Sequence, residues 1–289
     1  FAQSGISQIT ASYECNICDS NKYQNLIMST KPDVVFHLAA QAIIGESFER
    51  PAETFETNLI GTINTLEAIR QTPSVKSAVL VTTDKVYLNE NLGCAFLEND
   101  PLGGDDPYSA SKACAELAVQ SYQKSFFQKS NKMSSSTGIA TVRAGNVIGG
   151  GDWGKARLVP DLVRAKVSNS PIELRHPNAT RPWQHVLDAI NGYTILAEKL
   201  YLSSSQFSGA WNFGPDASEI KSVRWLAERC AQKHGIQIRI SGDKSNLIIE
   251  KQFLKLNSSK AKRALGWKPH FDTEKAVDFT WEWYEKFLA

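Results

Sequence analysis

Apolar residues arrive along the first half of the chain in two alternating textures. Val34-Val35-Phe36-His37-Leu38-Ala39-Ala40 is a short continuous apolar run, Ser77 to Thr82 is another, and Ile139 to Val142 makes a third. Runs this short, without alternation, suit strands covered on both faces in a parallel sheet. Between the first two, Phe55, Leu59, Ile63, Leu66 and Ile69 recur at helical spacing through Arg70, with Pro51 where a helix would begin. A second long helix is predicted from about Tyr108 to Phe127. Ahead of these, Ala11 to Ile17 reads as a short strand, and Asp19 as the cap of a helix around Asn21 to Ser29. Strand, helix, strand, helix, strand predicts an α/β chain with a doubly wound parallel sheet.

The segment Gln128 to Gly138 is polar and is expected to be a mobile surface loop. After Gly145 the texture changes. Gly149, Gly150 and Gly151 precede Asp152 and Trp153, and Leu158-Val159-Pro160 opens a helix. Arg181-Pro182-Trp183-Gln184-His185-Val186 leads into another helix ending near Tyr201, and Trp211 to Pro215 reads as a short strand and turn. The last helix starts near Thr273, where Ala276, Phe279, Trp283 and Phe287 form one row, expected to be core.

Composition adds mainly exclusions. With 42% hydrophobic and 21% charged residues in 289, the chain has the balance of a folded globular protein. The net charge of +2 comes from interspersed signs, so neither nucleic acid nor a membrane surface is an expected partner. No apolar stretch approaches a membrane span and no signal-peptide pattern opens the chain. Cys15, Cys18, Cys94, Cys114 and Cys230 are odd in number and irregular in spacing, which favours reduced thiols and a cytoplasmic location. Cys15-x-x-Cys18 has no second pair at ligand spacing, so no metal site is expected.

The chemistry gathers between Val79 and Lys112. The second apolar run ends in Thr82, Thr83, Asp84 and Lys85, and the following helix carries Tyr108 and Lys112 one turn apart on the same side. A phenol beside an ammonium can act as a base near neutral pH, because the positive charge favours phenolate. Bringing a phenol of pKa ~10 to neutrality takes about three units, or roughly 4 kcal/mol. The lesser readings are that Thr82 and Thr83 simply cap the sheet, and that Asp84 and Lys85 are an exposed ion pair.

His37-Leu38-Ala39-Ala40-Gln41, Asn58-Leu59-Ile60-Gly61-Thr62, the Thr-Thr-Asp-Lys strand end and Tyr108-x-x-x-Lys112 together resemble the extended short-chain dehydrogenase/reductases acting on nucleotide sugars. Asp106-Pro107-Tyr108-Ser109, Arg143 through Trp153 and Arg181 through Val186 are similar to the CDP-glucose 4,6-dehydratase branch in particular. The resemblance implies NAD as cofactor, CDP-glucose or a related nucleotide sugar as substrate, and a homodimer for the full-length protein. It implies a Rossmann-type NAD-binding domain over residues 1–148 with 182–215 contributing, and a smaller sugar-nucleotide domain over 149–289. A UDP-sugar 4-epimerase, another nucleotide-sugar dehydratase and an inactive remnant are the competing readings.

Residue roles follow from the same resemblance. Tyr108 takes the 4-hydroxyl proton as hydride leaves C4 for NAD, Lys112 lowers the phenol pKa and holds the nicotinamide ribose, and Thr83 orients the hydroxyl. Asp84 is the acid at the C6 hydroxyl. Lys85 is either the C5 base, if neutral, or an enolate stabiliser, if charged. Asn16, Ile17, Leu38, Ala39, Ala40, Gln41 and Thr82 join Tyr108 and Lys112 on the cofactor. Ser47, Asn146, Arg157 and Arg181 are expected on the substrate, with Arg181 forking onto the diphosphate. His37 is expected to be structural or cofactor-side, and His185 has no base role.

Two departures stand out. Asn16 replaces the family's usual Asp at the adenine amino group, where an amide oxygen can still accept. The glycine-rich turn that places pyrophosphate on a helix N-terminus does not occur. The expectation is therefore an N-terminally truncated sheet, short by a strand, helix and strand on the order of 30 residues or more. Such a chain, made alone, is expected neither to fold stably nor to hold NAD.

Overall fold

The structure, a computed structural model, describes residues 5–90, 93–127, 137–240, 251 and 253–289. Four strands form a parallel sheet: β1 (Val34–His37), β2 (Ser77–Val81), β3 (Gly138–Ala144) and β4 (Gly209–Phe213), in that spatial order. Val34 is in register with Ser77, Ser77 with Gly138, and Ala140 with Gly209. The longer helices are α1 (Ser20–Thr30), α2 (Gly61–Arg70), α3 (Pro107–Tyr122), α4 (Leu158–Ser168), α5 (Val186–Leu202), α6 (Val223–His234), α7 (Ser259–Leu265) and α8 (Thr273–Leu288).

The continuous apolar runs are strands because both faces are covered. Side chains of a strand alternate between faces, and each side of β2 has its own core. Ala78 and Leu80 pack with Leu66 and Ile69 of α2 and Val119 of α3. Val79 points the other way, into a cluster with Leu196 and Leu200 of α5, Trp211 and Phe213 of β4, and Leu265 of α7. A separate core joins Val159 and Leu162 of α4, Leu226 of α6, Trp183, and Val277, Trp281 and Tyr284 of α8. Thus 209–213 completes the sheet from the second half of the chain, while the segments after Ile148 build a second body around α4, α6 and α8.

Local signals explain several boundaries. The Asp19 carboxylate accepts the Lys22 N–H at the start of α1, and the Asp272 carboxylate accepts the Lys275 N–H at the start of α8. Both satisfy amides that a helix start leaves without a partner. The helix opened by Pro51 passes through a π turn at Glu56–Ile60 before α2, which turns Asn58 inward to full burial. The helix predicted through Phe127 is α-helical to Tyr122 and ends in a π turn at Gln123–Phe127.

Two expectations need revision, and a third lies mostly outside the described residues. Ala11 to Ile17 is not a strand: 11–16 has no regular structure, and Asn16 to Asp19 forms a turn in which the Asp19 N–H donates to the Asn16 carbonyl at 3.1 Å. An extended segment becomes a strand only against a neighbour, and β1 is paired on one side alone, to β2. The α8 row is also not core throughout. Ala276 is buried, but Phe279, Trp283 and Phe287 are 45%, 39% and 40% exposed. The face α8 turns inward is the one bearing Val277, Thr280, Trp281 and Tyr284, roughly a third of a turn around. Of the polar segment Gln128 to Gly138, residues 128–136 lie outside the described residues, and Gly138 already begins β3.

Candidate active site

The site forms where β2 stops. Thr83 is extended and caps a short 3-10 turn over Asp84–Val86, its hydroxyl oxygen accepting the Lys85 N–H at 3.4 Å. This turn buries Asp84 to 1% exposure and leaves Lys85 partly exposed beside it. The Thr83 hydroxyl donates to Asp84 Oδ1 at 3.2 Å, and Lys85 Nζ reaches the same oxygen at 3.3 Å. Asp84 Oδ2 is buried with no hydrogen-bond partner. A buried carboxylate oxygen left bare is costly, and such atoms are rare outside functional sites.

Helix α3 supplies the other half. Asp106 caps it, accepting the Ser109 N–H at 2.9 Å and its hydroxyl at 2.6 Å, and Pro107 takes the first helical position. That start places Tyr108 in the first turn and Lys112 in the next, both buried. Lys112 Nζ donates to the carbonyl of Val81, the last residue of β2, at 3.1 Å. Burial pulls the Lys112 pKa down to about 8, with Glu116 opposing.

Burial raises the Tyr108 pKa. The Lys85 ammonium and the Thr83 hydroxyl act against that rise, while Asp84 and Asp106 add to it. Lys85, brought in by the turn after β2, is thus a cation that acts on Tyr108. Adjacency along a helix says nothing about a turn brought in from a neighbouring strand.

Two more buried acceptors lack partners among the described residues: Asn146 Oδ1 and Gln184 Oε1. Gln184 is tied to the sheet, its amide donating to the Phe213 carbonyl at 2.9 Å and its backbone N–H to Asn146 O at 3.1 Å. Asp84, Asn146 and Phe213 all lie at the C-terminal ends of β2, β3 and β4. That edge is where open α/β sheets hold their ligands.

The profile of the GDP-mannose 4,6-dehydratase family matches residues 3–280. The chain belongs to the GDP-mannose 4,6-dehydratase family. A CDP-glucose 4,6-dehydratase from Salmonella typhimurium is 39% identical over 283 residues, covering 98% of this chain and 79% of that protein. The dTDP-glucose 4,6-dehydratase of Bacillus anthracis, solved in complex with NAD, superimposes with a TM-score of 0.76 at 23% identity, over 94% of this chain and 79% of that one. The UDP-glucose 4-epimerase of Thermotoga maritima, solved with UDP-glucose, gives 0.81 at 21% identity, over 96% and 85%. At such identities the two structures speak for the fold alone.

In this member of the 4,6-dehydratase family, the other expected residues are placed unevenly around the site. The Thr82 hydroxyl donates to Glu116 Oε1 at 2.5 Å, which turns it into the protein. Asn58 braces the loop after β1: its amide oxygen accepts the Gln41 N–H and its NH2 donates to Gln41 O, both at 2.9 Å. Leu38 and Ala39 are exposed beyond the strand end and Ala40 is half-buried. His37 is buried between Thr62 and Thr65, at 3.2 and 3.4 Å, and burial drops its pKa to about 4, so it is neutral.

Asn16 is exposed, with its amide oxygen accepting the Cys18 N–H at 3.0 Å. Ile17 packs on Gly61, where a Cβ would lie 2.5 Å from Ile17 Cδ1. The Ser47 hydroxyl donates to Ile44 O at 2.7 Å inside its own short helix. Arg157 is exposed and paired with Asp152 at 3.1 Å. Arg181 is buried, with Nη1 donating to Thr180 O at 2.8 Å and Lys251 O at 2.9 Å. His185 accepts the Leu187 N–H through Nδ1 at the start of α5. Trp183 belongs to the second core and donates to Lys221 O.

The strand-end crevice fits the nicotinamide-ribose half of NAD, with a phenol, an ammonium and bare acceptors converging there. No glycine-rich turn offers the pyrophosphate a helix N-terminus. Among the described residues, no group of three or more His, Cys, Asp or Glu could hold a metal ion. None of the described helices is long and apolar enough to cross a membrane.

Sequence reading passed over Glu116, Arg143 and Gln184. Arg143 had a visible signal, a charge inside a strand whose seven residues are all buried. Glu116 falls one turn beyond Lys112 on the same face.

Proposed function

We propose that this chain catalyses the 4,6-dehydration of a nucleotide sugar, converting CDP-D-glucose to CDP-4-dehydro-6-deoxy-D-glucose. The observation that carries the reading is the Asp84–Lys85 pair, set directly after β2 in the electrostatic reach of Tyr108. A sugar 4-oxidation needs only a base. Loss of water across C5–C6 needs, in addition, a base for the C5 proton, an acid at the C6 hydroxyl and stabilisation of the enolate formed between the two transfers.

Bound NAD supplies the hydride acceptor at C4 and the donor at C6. Tyr108, made a phenolate when the positive nicotinamide ring of bound NAD joins Lys85 and Thr83 against its burial, removes the 4-hydroxyl proton, with Thr83 orienting that hydroxyl. Asp84 delivers a proton to the departing C6 hydroxyl from its unpartnered oxygen. Lys85, as a neutral amine, takes the C5 proton; the ammonium so formed lies 3.3 Å from the Asp84 carboxylate that the elimination leaves, where it steadies the enolate and can hand the proton back to Asp84. Asn146 and Gln184 offer acceptors to sugar or ribose hydroxyls. Residues 1–148 with 182–215 act as the cofactor domain, and 149–289 hold the nucleotide. We infer a cytoplasmic homodimer, to be checked by sedimentation.

We also infer that these 289 residues retain NAD weakly, because they contain no glycine turn for its pyrophosphate. Excess NAD offsets this by mass action. NAD retained through extensive dialysis would reject it.

The test is CDP-glucose deuterated at C4, turned over with NAD in excess. Label is expected at C6 of the product. Label washed into solvent excludes the internal hydride shuttle. Label returned to C4 of an inverted sugar identifies a 4-epimerase, which shares Tyr108 and Lys112 but has no need of Asp84 and Lys85.

A further inference from the structure

Beneath the catalytic face of α3 lies an ion pair with no exposure at all. The Glu116 carboxylate and the Arg143 guanidinium meet in a two-pronged contact, Nε to Oε1 at 2.9 Å and Nη2 to Oε2 at 2.7 Å. Two hydroxyls complete the carboxylate: Thr82 on Oε1 at 2.5 Å and Thr141 on Oε2 at 2.9 Å. One side chain of α3 is thus tied to the residue after β2 and to two positions of β3.

Arg143 extends the connection. Its Nη1 donates to the Tyr87 hydroxyl and to the Glu98 carbonyl, each at 2.9 Å, and its guanidinium lies 4.9 Å from the Tyr87 ring centre. The Tyr87 hydroxyl donates to Asn212 Oδ1 at 2.7 Å. Tyr87 directly follows the turn holding Asp84 and Lys85. The same ion pair therefore grips both parts of the site: the helix with Tyr108 and Lys112, and the turn with Asp84 and Lys85.

We propose that Glu116 and Arg143 are positioning residues, which hold α3 against the Asp84–Lys85 turn and set the charge carried by Lys112. A purely structural pair would be replaceable by apolar side chains, and buried ion pairs often are. This one sits one helical turn from Lys112, with both of its signs fixed in place. Glu116 acts on Lys112 against the effect of its burial.

The other charges near α3 are accounted for. His37, facing from β1, is neutral. From β2 Lys112 meets a backbone carbonyl. Glu67 of α2 is paired with Arg70, and Asp84 with Lys85. Glu46, Glu53 and Glu56 on the preceding helices are exposed to solvent. Tyr108, on the same helix, is a neutral phenol in the resting protein.

The role assigned to Lys112 rests on the proposed function, but the test does not. Side-chain NMR of lysine ammonium groups, with Lys112 assigned from the Lys112→Arg spectrum, reads its titration in the protein without substrate or NAD. Glu116→Gln removes the negative charge and is expected to lower the Lys112 midpoint by about one pH unit. Arg143→Met leaves Glu116 uncompensated and is expected to raise it by about as much. Opposite shifts are a signature that loosened packing does not give. Midpoints unchanged in both variants, with only thermal stability lost, would overturn the proposal.

If either single variant fails to fold, Glu116→Gln with Arg143→Met removes both charges at once. That double variant is expected to lower the Lys112 midpoint less than Glu116→Gln would. Its C4-oxidation rate is expected to fall at least about tenfold at neutral pH, with KM within about twofold, in the range of a mispositioned catalytic group. A wild-type midpoint and rate in the double variant would also reject the role. A failed label-transfer experiment beside shifted midpoints would reject the dehydratase reading alone.

Discussion

Asp84→Asn separates the two halves of the proposed reaction. The replacement is nearly isosteric at a site with 1% exposure, so packing is unchanged. Asn keeps an oxygen where Asp84 Oδ1 accepts from Thr83 at 3.2 Å and from Lys85 at 3.3 Å. What is lost is the oxygen with no partner, the one free to deliver a proton. Removing a general acid costs about 10²–10⁴ in rate, or about 3–5 kcal/mol of barrier. That loss should fall on water elimination. C4 oxidation should change by less than about tenfold, since the Tyr108 base is untouched. Rapid mixing of enzyme, NAD and CDP-glucose follows oxidation as nicotinamide absorbance, and quenched samples report the dehydrated product. The expected record is a reduced cofactor that accumulates and decays slowly. Equal slowing of both phases would refute the division of labour.

Three further outcomes follow from the same geometry. Tyr108→Phe should cut C4 oxidation by about 10²–10⁴ while leaving NAD affinity within a few-fold; retained nicotinamide reduction in rapid mixing would dismiss Tyr108 as the base. His37 has a folded pKa of about 4 against 6.5 for the free group, so the unfolded chain binds the extra proton in that window. Stability is present above the window and lost as pH falls through it, by about 2 kcal/mol between neutrality and roughly pH 5. His37→Gln should flatten that part of the pH–stability curve measured in denaturant, and an unaltered slope would show that His37 titrates normally. Gly150→Ala places a Cβ 2.1 Å from Trp283 Cγ, so the loop must leave α8 at a cost of about 1–3 kcal/mol, seen as a lower Tm; an unchanged Tm would mean that the loop moves freely.

The revision of the α8 row shows how a correct period can still give a wrong face. Ala276, Phe279, Trp283 and Phe287 do share one side of a helix, yet that side is the half-open one. Trp283 and Phe287 stack on each other at 5.1 Å and are met by the glycine loop and Trp153, while Trp281 and Tyr284 enter the core. An amphipathic pattern with aromatics on two sides leaves the choice to whichever surface packs against it. Ala11 to Ile17 failed for a related reason, since a strand depends on a neighbour that its own residues do not encode.

What the sequence determined by itself was local: the continuous apolar runs of β1 to β3, the cap at Asp19, and Tyr108 and Lys112 on one face of α3. These follow from periodicity and from hydrogen bonds spanning a few residues, so they are written in adjacent positions. Tertiary structure alone decided which cation acts on Tyr108, which carboxylate supports Lys112, and which acceptors are left bare at the strand ends. Those relations join β2, β3, β4 and α3 across gaps of dozens of residues, and burial sets their strength. Electrostatic contact depends on distance and desolvation, and neither is visible along the chain.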